Sequence, residues 1–216
     1  QNLHFKKKKF GIGQKLSETV YLKEHEIQQI HKTHFASTAL ENAKDALVLS
    51  CSTGLRYSDI LTLKMEHIQV FDNEKFIKKM TQKTGTEVVI PLNDMVLEIL
   101  NKYKDSGKGL PRVPCNQVLN KQLKKVCKAA GLTETGRLTE SPEKELWECV
   151  SMHTGRRSFA TNAHLNGVPT LDIMRVTNHI TEKSFMRYIR LSKLDAAKRF
   201  SQHMKMKKEQ PLMVAV

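Results

Sequence analysis

No stretch of the 216-residue chain reaches the ~18 consecutive apolar residues that a membrane-spanning helix needs, and the opening "QNLHFKKKKF" lacks the apolar centre of a secretory signal. A soluble protein is expected. Cysteine is sparse and unpaired. Cys51, Cys115, Cys127 and Cys149 form no CxxC pair, which argues against a zinc site or a disulfide framework and for reduced thiols in a cytoplasmic, intracellular protein. "GIGQKL" lacks the glycines of a Walker loop or a dinucleotide fingerprint, so no nucleotide cofactor is implied. Internal repeats and low-complexity tracts are missing as well. Acidic residues are the other shortage: 22 Asp and Glu stand against 36 Lys and Arg, a net charge of +14 spread over much of the chain. Such a surplus suits a polyanionic partner, although charge alone also describes basic proteins with no nucleic-acid role.

At 39% hydrophobic residues the chain is the size of one large domain and long enough to bury a core. Residues 1–16, with Gly11, Gly13 and a run of lysines, read as a basic linker. Because the sequence begins with Gln, that linker is expected to come from a missing upstream domain, with the folded part covering 17–216. From Lys23 to His34 and from Thr38 to Ser52 apolar residues recur at helical spacing, the second run closing near Gly54. "RYSDILTLKMEHI" predicts another helix that turns Leu55, Ile60 and Leu63 inward. The period then changes: in "EKFIKKMTQKTGTEVVIPL" two β-prone runs flank "KTGT" and end at Pro91, which predicts a hairpin. Helices are expected over 93–104 and 116–130, the latter closed by Gly131, while 132–150 is polar and irregular apart from "ELWECV". A helix should run from His153 to about Asn166, a shorter one from Leu171 to Val176, and helical stretches should flank Tyr188. The fold class is mainly α with a small antiparallel β-hairpin or sheet.

The candidates for chemistry are Arg56 in "TGLRYSD", Lys83 at the hairpin turn, His153 and Arg156 in "HTGRR", His179 in "TNHITEKSF" and Tyr188 in "RYIR". Each alone is ordinary, since a lone arginine or hairpin lysine is usually solvated and a helical tyrosine usually packs. Their order carries more. The sequence resembles the catalytic domain of the tyrosine recombinases, the phage integrase family, whose signature runs Arg, Lys, His-x-x-Arg, His or Trp, then Tyr. "STGLRYSDILTL" resembles the first arginine motif, with Asp59 where an acidic residue commonly follows. "HTGRRSFATNAHLNGVP" resembles the His-x-x-Arg helix, and "NHITEKSFMRY" the final motif, with nine positions from His179 to Tyr188. The resemblance extends from about Ser17 to beyond Tyr188. Two places depart from it: Thr154 and Gly155 stand where many members have Asp-Leu, and Asn178 stands where Gly often precedes the second histidine. Gly155 is expected to loosen the helix start, whereas Asn is able to replace Gly at a left-handed position.

Phosphoryl chemistry fits the same residues. A phosphodiester under attack gathers charge on its non-bridging oxygens, and the always-charged planar guanidiniums of Arg56 and Arg156 suit a bidentate clamp on them. A tyrosine with a pKa near 10 needs help to act as a nucleophile, so His153 is assigned as proton acceptor for Tyr188 and His179 as donor to the phosphate. The departing 5′-oxygen needs a proton, and Lys83 is the candidate acid. Geometry and resemblance favour it over Lys75, Lys78 and Lys79, because it sits at the turn while Lys78 and Lys79 point to opposite faces of a strand. Arg157, on another side of its helix, reads as a backbone-phosphate or solvent contact.

The resemblance implies a site-specific DNA recombinase or integrase that cleaves and rejoins strands through a 3′-phosphotyrosine linkage, integrating or excising a mobile element. No cofactor is expected: neither ATP nor a metal is required when the covalent bond conserves the phosphodiester energy. Double-stranded DNA is the implied partner, worked on by a homo-tetramer through a Holliday junction, with accessory DNA-bending proteins admitted and no membrane. A C-terminal docking segment is implied from about residue 193, where Leu194, Phe200, Met204, Met206 and Leu212 lie among lysines. A type IB topoisomerase, a DNA-binding module without catalysis and a helical protein with no DNA role are the rivals. Outside this set, His31 and His34 in "HKTH" have a spacing that suits a metal but no acidic or third ligand nearby, and read as surface histidines; His164 is expected on an exposed helix side.

Overall fold

The computed structural model describes residues 19–106, 109–189, 196–198, 200, 201 and 204. The expected linker over 1–16 and most of the expected docking segment lie outside them. The described chain forms helices α1 (Glu24–Lys32), α2 (Thr38–Thr53) and α3 (Tyr57–Leu61), a 3-10 turn over Met65–His67, and strands β1 (Ile68–Phe71), β2 (Glu74–Met80) and β3 (Glu87–Pro91). Helices α4 (Asp94–Tyr103), α5 (Asn116–Ala129), α6 (Leu146–Cys149), α7 (Met152–Leu165), α8 (Thr170–Thr177) and α9 (Glu182–Met186) follow. The fold is therefore mainly α with one small antiparallel sheet.

Helix α2 is the axis of the domain. Its Ala43, Ala46, Leu47, Val48 and Leu49 are all buried, as are its polar Lys44, Asp45 and Ser50, because it packs on α1, α4, α5 and α7 at once. Helix α7 comes closest. A Cβ added to Gly155 would stand 2.6 Å from both Cβ and Oγ of Ser50, so Gly155 is the point where the two backbones approach. Gly155 was expected to loosen the helix start; instead it lets α7 dock.

The buried face of α7 is unusually polar because the chain entering the domain runs along it and has backbone groups to satisfy. Leu22 N donates to Ser158 Oγ at 2.8 Å, Asn162 Nδ2 donates to Leu22 O at 3.0 Å, and Arg157 Nη1 donates to Val20 O at 3.1 Å. Arg157 is thus a buried internal brace, which corrects the expectation of a solvent or phosphate contact.

The sheet has order β1-β2-β3, with Ile77 of β2 paired to Ile68 on one side and Ile90 on the other. Ile77, Val88 and Ile90 face inward. Two strands were expected and there are three, because the helix expected to run through "KMEHI" stops after Leu61 and gives way to β1. Asp72 and Asn73 adopt φ of 48° and 66°, the left-handed pair that a two-residue hairpin loop requires. The second turn, Thr81 to Thr86, closes with Thr81 N donating to Thr86 O at 3.0 Å and Gly85 N donating to Thr81 O at 2.9 Å. Beyond α7 a separate small core of Ala160, Ile173, Met174 and Phe185 supports the last motif.

Candidate active site

Helix α2 ends at Gly54 in the left-handed conformation (φ 69°), where a Cβ would stand 2.7 Å from Phe159 Cδ1. Only glycine allows that reversal against α7, and it sets Arg56 at the N-cap of α3, facing the site. Arg156, four residues into α7, is 2% exposed. Its Nη1 donates to Gly54 O at 2.6 Å and its Nη2 donates to Thr177 O, so one guanidinium joins the end of α2 to the end of α8. Arg56 is held more loosely: Nη2 donates to Asn178 O at 3.4 Å and Nη1 lies 3.9 Å from Asp59 Oδ2.

Tyr188 reaches the same place from α9. Phe185, fully buried, anchors that helix, and Tyr188 N donates to Phe185 O at 2.7 Å while Tyr188 O accepts from Thr161 Oγ1 at 3.1 Å. The tyrosine ring lies 5.2 Å from the His153 ring and 4.6 Å from the His179 ring, both edge-on, with Arg156 Cζ 5.7 Å from its centroid. Five of the six predicted residues therefore converge. The sixth, Lys83, sits exposed in the β2–β3 turn, near enough for its charge to act on the His153 ring.

The electrostatics follow from burial and crowded positive charge. Loss of water, and then Arg157, Arg156, Arg56 and Lys83, push His153 down to about 4. Burial, then Arg156, Arg56 and His153, push His179 down to about 3. His153 keeps an open face to solvent, which makes its depression the softer of the two. Both rings are neutral near pH 7. Burial and repulsion from Arg56 lower Arg156 to about 10, partly offset by Tyr188 and Asp59, and it stays charged.

The tautomer of His179 is fixed by its neighbour. Nδ1 lies 2.7 Å from Thr177 Oγ1, whose own proton is committed to Ile173 O at 2.6 Å, so Nδ1 must donate. Neutral His179 then carries a lone pair on Nε2. That Nε2, Arg56 Nη1 and Arg156 Nε are buried nitrogens without hydrogen-bond partners among the described residues. Guanidinium donors left open around a phenol suit an anion with several acceptor oxygens. A cleft of about 390 Å³ lined by Arg56, Tyr57, Asn120, Ser151, His153 and Arg156 adjoins them.

Other sequence candidates fall elsewhere. Lys79 is buried with Nζ donating to Thr62 Oγ1 at 2.9 Å, and Lys78 pairs with Glu87 at 3.7 Å, so both are occupied. His31 does have an acidic neighbour, since α4 brings Glu98 to 2.7 Å from its Nε2, but the described residues hold no cluster of three ligands for a metal. His164 is half-buried rather than exposed. The four cysteines are free thiols. Sequence reasoning missed Thr177, whose carbonyl and hydroxyl serve Arg156 and His179, because a threonine in the last turn of a helix has no distinguishing pattern.

The fold is that of solved tyrosine recombinase catalytic domains. The XerA recombinase superposes with a TM-score of 0.64 at 19% identity, over 87% of this chain and 66% of that one. XerH bound to its palindromic difH substrate in a post-cleavage complex gives 0.63 at 16% identity, over 88% and 53%. A lambda integrase dimer bound to a COC′ core site gives 0.57 at 17% identity, over 81% and 61%. In sequence, residues 20–194 match the model of the phage integrase family, and the chain belongs to that family, the tyrosine recombinases. The tyrosine recombinase XerC of Pelotomaculum thermopropionicum is 29% identical over 142 residues, 62% of this chain and 45% of the relative. XerD of Listeria monocytogenes is 25% identical over 174 residues, 78% and 57%. The chain thus spans about half the length of the curated relatives it matches. No described helix is long and apolar enough to cross a membrane.

Proposed function

We propose that the chain is the catalytic domain of a site-specific DNA recombinase acting through a 3′-phosphotyrosine intermediate. The observation that carries the reading is the enclosure of the Tyr188 ring by His153, His179 and Arg156 of one chain. Tyr188 Oη forms a bond to the scissile phosphorus as the bond to the 5′-oxygen breaks. The phenol proton passes to His153, which is neutral at pH 7 and able to accept it. Lys83 gives a proton to the departing 5′-oxygen. Arg56 and Arg156 hold the non-bridging oxygens and favour the charge that develops there, so neither a metal nor ATP is required. His179 acts as a donor through Nε2 once it is an imidazolium, a form that a bound phosphate stabilises by its negative charge.

Double-stranded DNA as partner is supported by the net charge of +14 and by relatives solved on DNA. Integration or excision of a mobile element by a homo-tetramer, helped by DNA-bending proteins inside the cell, completes the proposal. It includes a C-terminal segment that docks on a neighbour, in keeping with the exposed Phe200 and Met204. Residues 1–16 are proposed as a linker from an upstream domain. The deciding experiment incubates the protein with a nicked suicide duplex and runs a denaturing gel. Wild type should give a covalent protein–DNA band and Tyr188→Phe none, with DNA affinity unchanged within about twofold, since the ring packing is retained. An adduct formed by Tyr188→Phe would refute the assignment of the nucleophile.

A further inference from the structure

The turn that carries Lys83 is fastened to the site at two points. Asp59, fully buried, accepts from Gln82 N through Oδ1 at 2.8 Å. Asn178 provides the other. It ends α8 in the left-handed conformation (φ 52°), immediately before His179, and its carbonyl accepts from Arg56 Nη2. Its Nδ2 donates to Thr84 Oγ1 at 2.6 Å and to Thr81 Oγ1 at 3.1 Å, and those two hydroxyls bond each other at 2.7 Å. A glycine would hold the same backbone without strain but would have no amide to offer the turn. Lys83 itself has no hydrogen-bond or ion-pair partner among the described residues, so the location of its ammonium depends on how the turn is held. The turn as fastened leaves that charge near enough to bear on the proton affinity of the His153 ring.

We infer that Asn178 is a positioning residue for the reaction: its side-chain amide clasps Thr81 and Thr84 and so holds the Lys83 turn against the Arg56 and His179 side of the site. The inference rests on the proposed role of Lys83 as the acid for the leaving oxygen. Through Asn178 one residue coordinates three parts of the site: its carbonyl serves Arg56, its place in the chain sets His179, and its amide sets Lys83.

The test uses Asn178→Gly, which keeps the left-handed backbone and the carbonyl, and Thr84→Val, which removes one hydroxyl from an exposed position and leaves α8 untouched. Each is assayed in single-turnover cleavage of a nicked suicide duplex with either an ordinary scissile phosphate or one with a 5′-bridging sulfur, because a thiolate departs without needing a proton. Both variants should cleave ordinary DNA about tenfold more slowly than wild type, the loss expected for one or two hydrogen bonds that steer the acid. On the sulfur strand they should come within about twofold of wild type, a recovery that a general loosening of the fold would not produce. Lys83→Ala should be slow and rescued by sulfur, and Arg56→Ala should stay slow on both strands. If sulfur fails to rescue Lys83→Ala, the acid assignment falls and the positioning role falls with it. If Lys83→Ala is rescued but Asn178→Gly and Thr84→Val cleave ordinary DNA at the wild-type rate, or stay equally slow on both strands, Asn178 does not position the turn and only the acid assignment survives.

Discussion

Substituting Arg156 by methionine should damage folding and chemistry together, whereas the same change at Arg56 should damage chemistry alone. The buried Arg156 guanidinium supplies hydrogen bonds to the carbonyls of Gly54 and Thr177. Bonds from a charged donor contribute about 1.5–3 kcal/mol each, so the gross loss is about 3–6 kcal/mol. Methionine fills similar space and removes a charge that was costly to bury, which returns part of that loss and leaves about 2–4 kcal/mol. For a domain of this size each kcal/mol lowers the melting temperature by about 2–4 °C, so Arg156→Met should melt about 4–16 °C below wild type. Arg56 makes one bond at 3.4 Å and one ion pair at 3.9 Å. Interactions of that geometry contribute under about 1 kcal/mol, and Arg56→Met should melt within about 4 °C of wild type. Thermal unfolding followed by far-ultraviolet circular dichroism without DNA, together with suicide-duplex cleavage on the same preparations, measures both. Both variants should fail to cleave. An Arg156→Met protein melting within about 2 °C of wild type, or an Arg56→Met protein falling as far as Arg156→Met, would refute the claim that Arg156 bridges α2 and α8.

Two further expectations follow from the site and its support. Because burial and the neighbouring arginines hold His179 down to about 3 in the free protein, an arriving phosphate should raise it and draw a proton in near neutral pH. Calorimetry of duplex binding at pH 7 in two buffers of different ionisation enthalpy should report net proton uptake, reduced in His179→Gln; buffer-independent heats would contradict it. Gly155→Ala should lose about 1–3 kcal/mol by forcing α7 away from Ser50, and Ser50→Gly in the same chain should restore part of it, as read by urea denaturation. A fully stable Gly155→Ala would mean the two helices have slack.

The helical parts of the fold were legible because their burial has a period. Ile27 and Ile30 or Leu119, Leu123 and Val126 announce a buried face without help from the rest of the chain. Strand β1 was not legible. "IQVF" is too short to show an alternation, and it is a strand because Asp72 and Asn73 turn it back onto β2, a hairpin signal in two residues that a longer helical pattern upstream concealed. The candidate site was readable as a list of side chains, since guanidiniums, imidazoles and a phenol declare their chemistry by type. Its wiring was not, because it runs through main-chain carbonyls: Gly54 O, Thr177 O and Asn178 O receive the two arginines, and a carbonyl looks the same at every position of a sequence. Arg157 illustrates the reverse error. Its charge and its place on another side of the helix from Arg156 suggested a backbone-phosphate or solvent contact, but it is buried and donates to Val20 O, 137 positions away in the chain.

The short span between the buried Phe185 and Tyr188 has a consequence for subunit mixing. An anchor three residues from the phenol keeps Tyr188 beside the arginines and histidines of its own chain. On the proposed function, a protomer lacking the Tyr188 hydroxyl and a protomer lacking Arg156 would hold no complete set between them. Cutting capacity would, on that same function, be counted per chain: in a mixed assembly the number of competent sites would equal the number of intact copies.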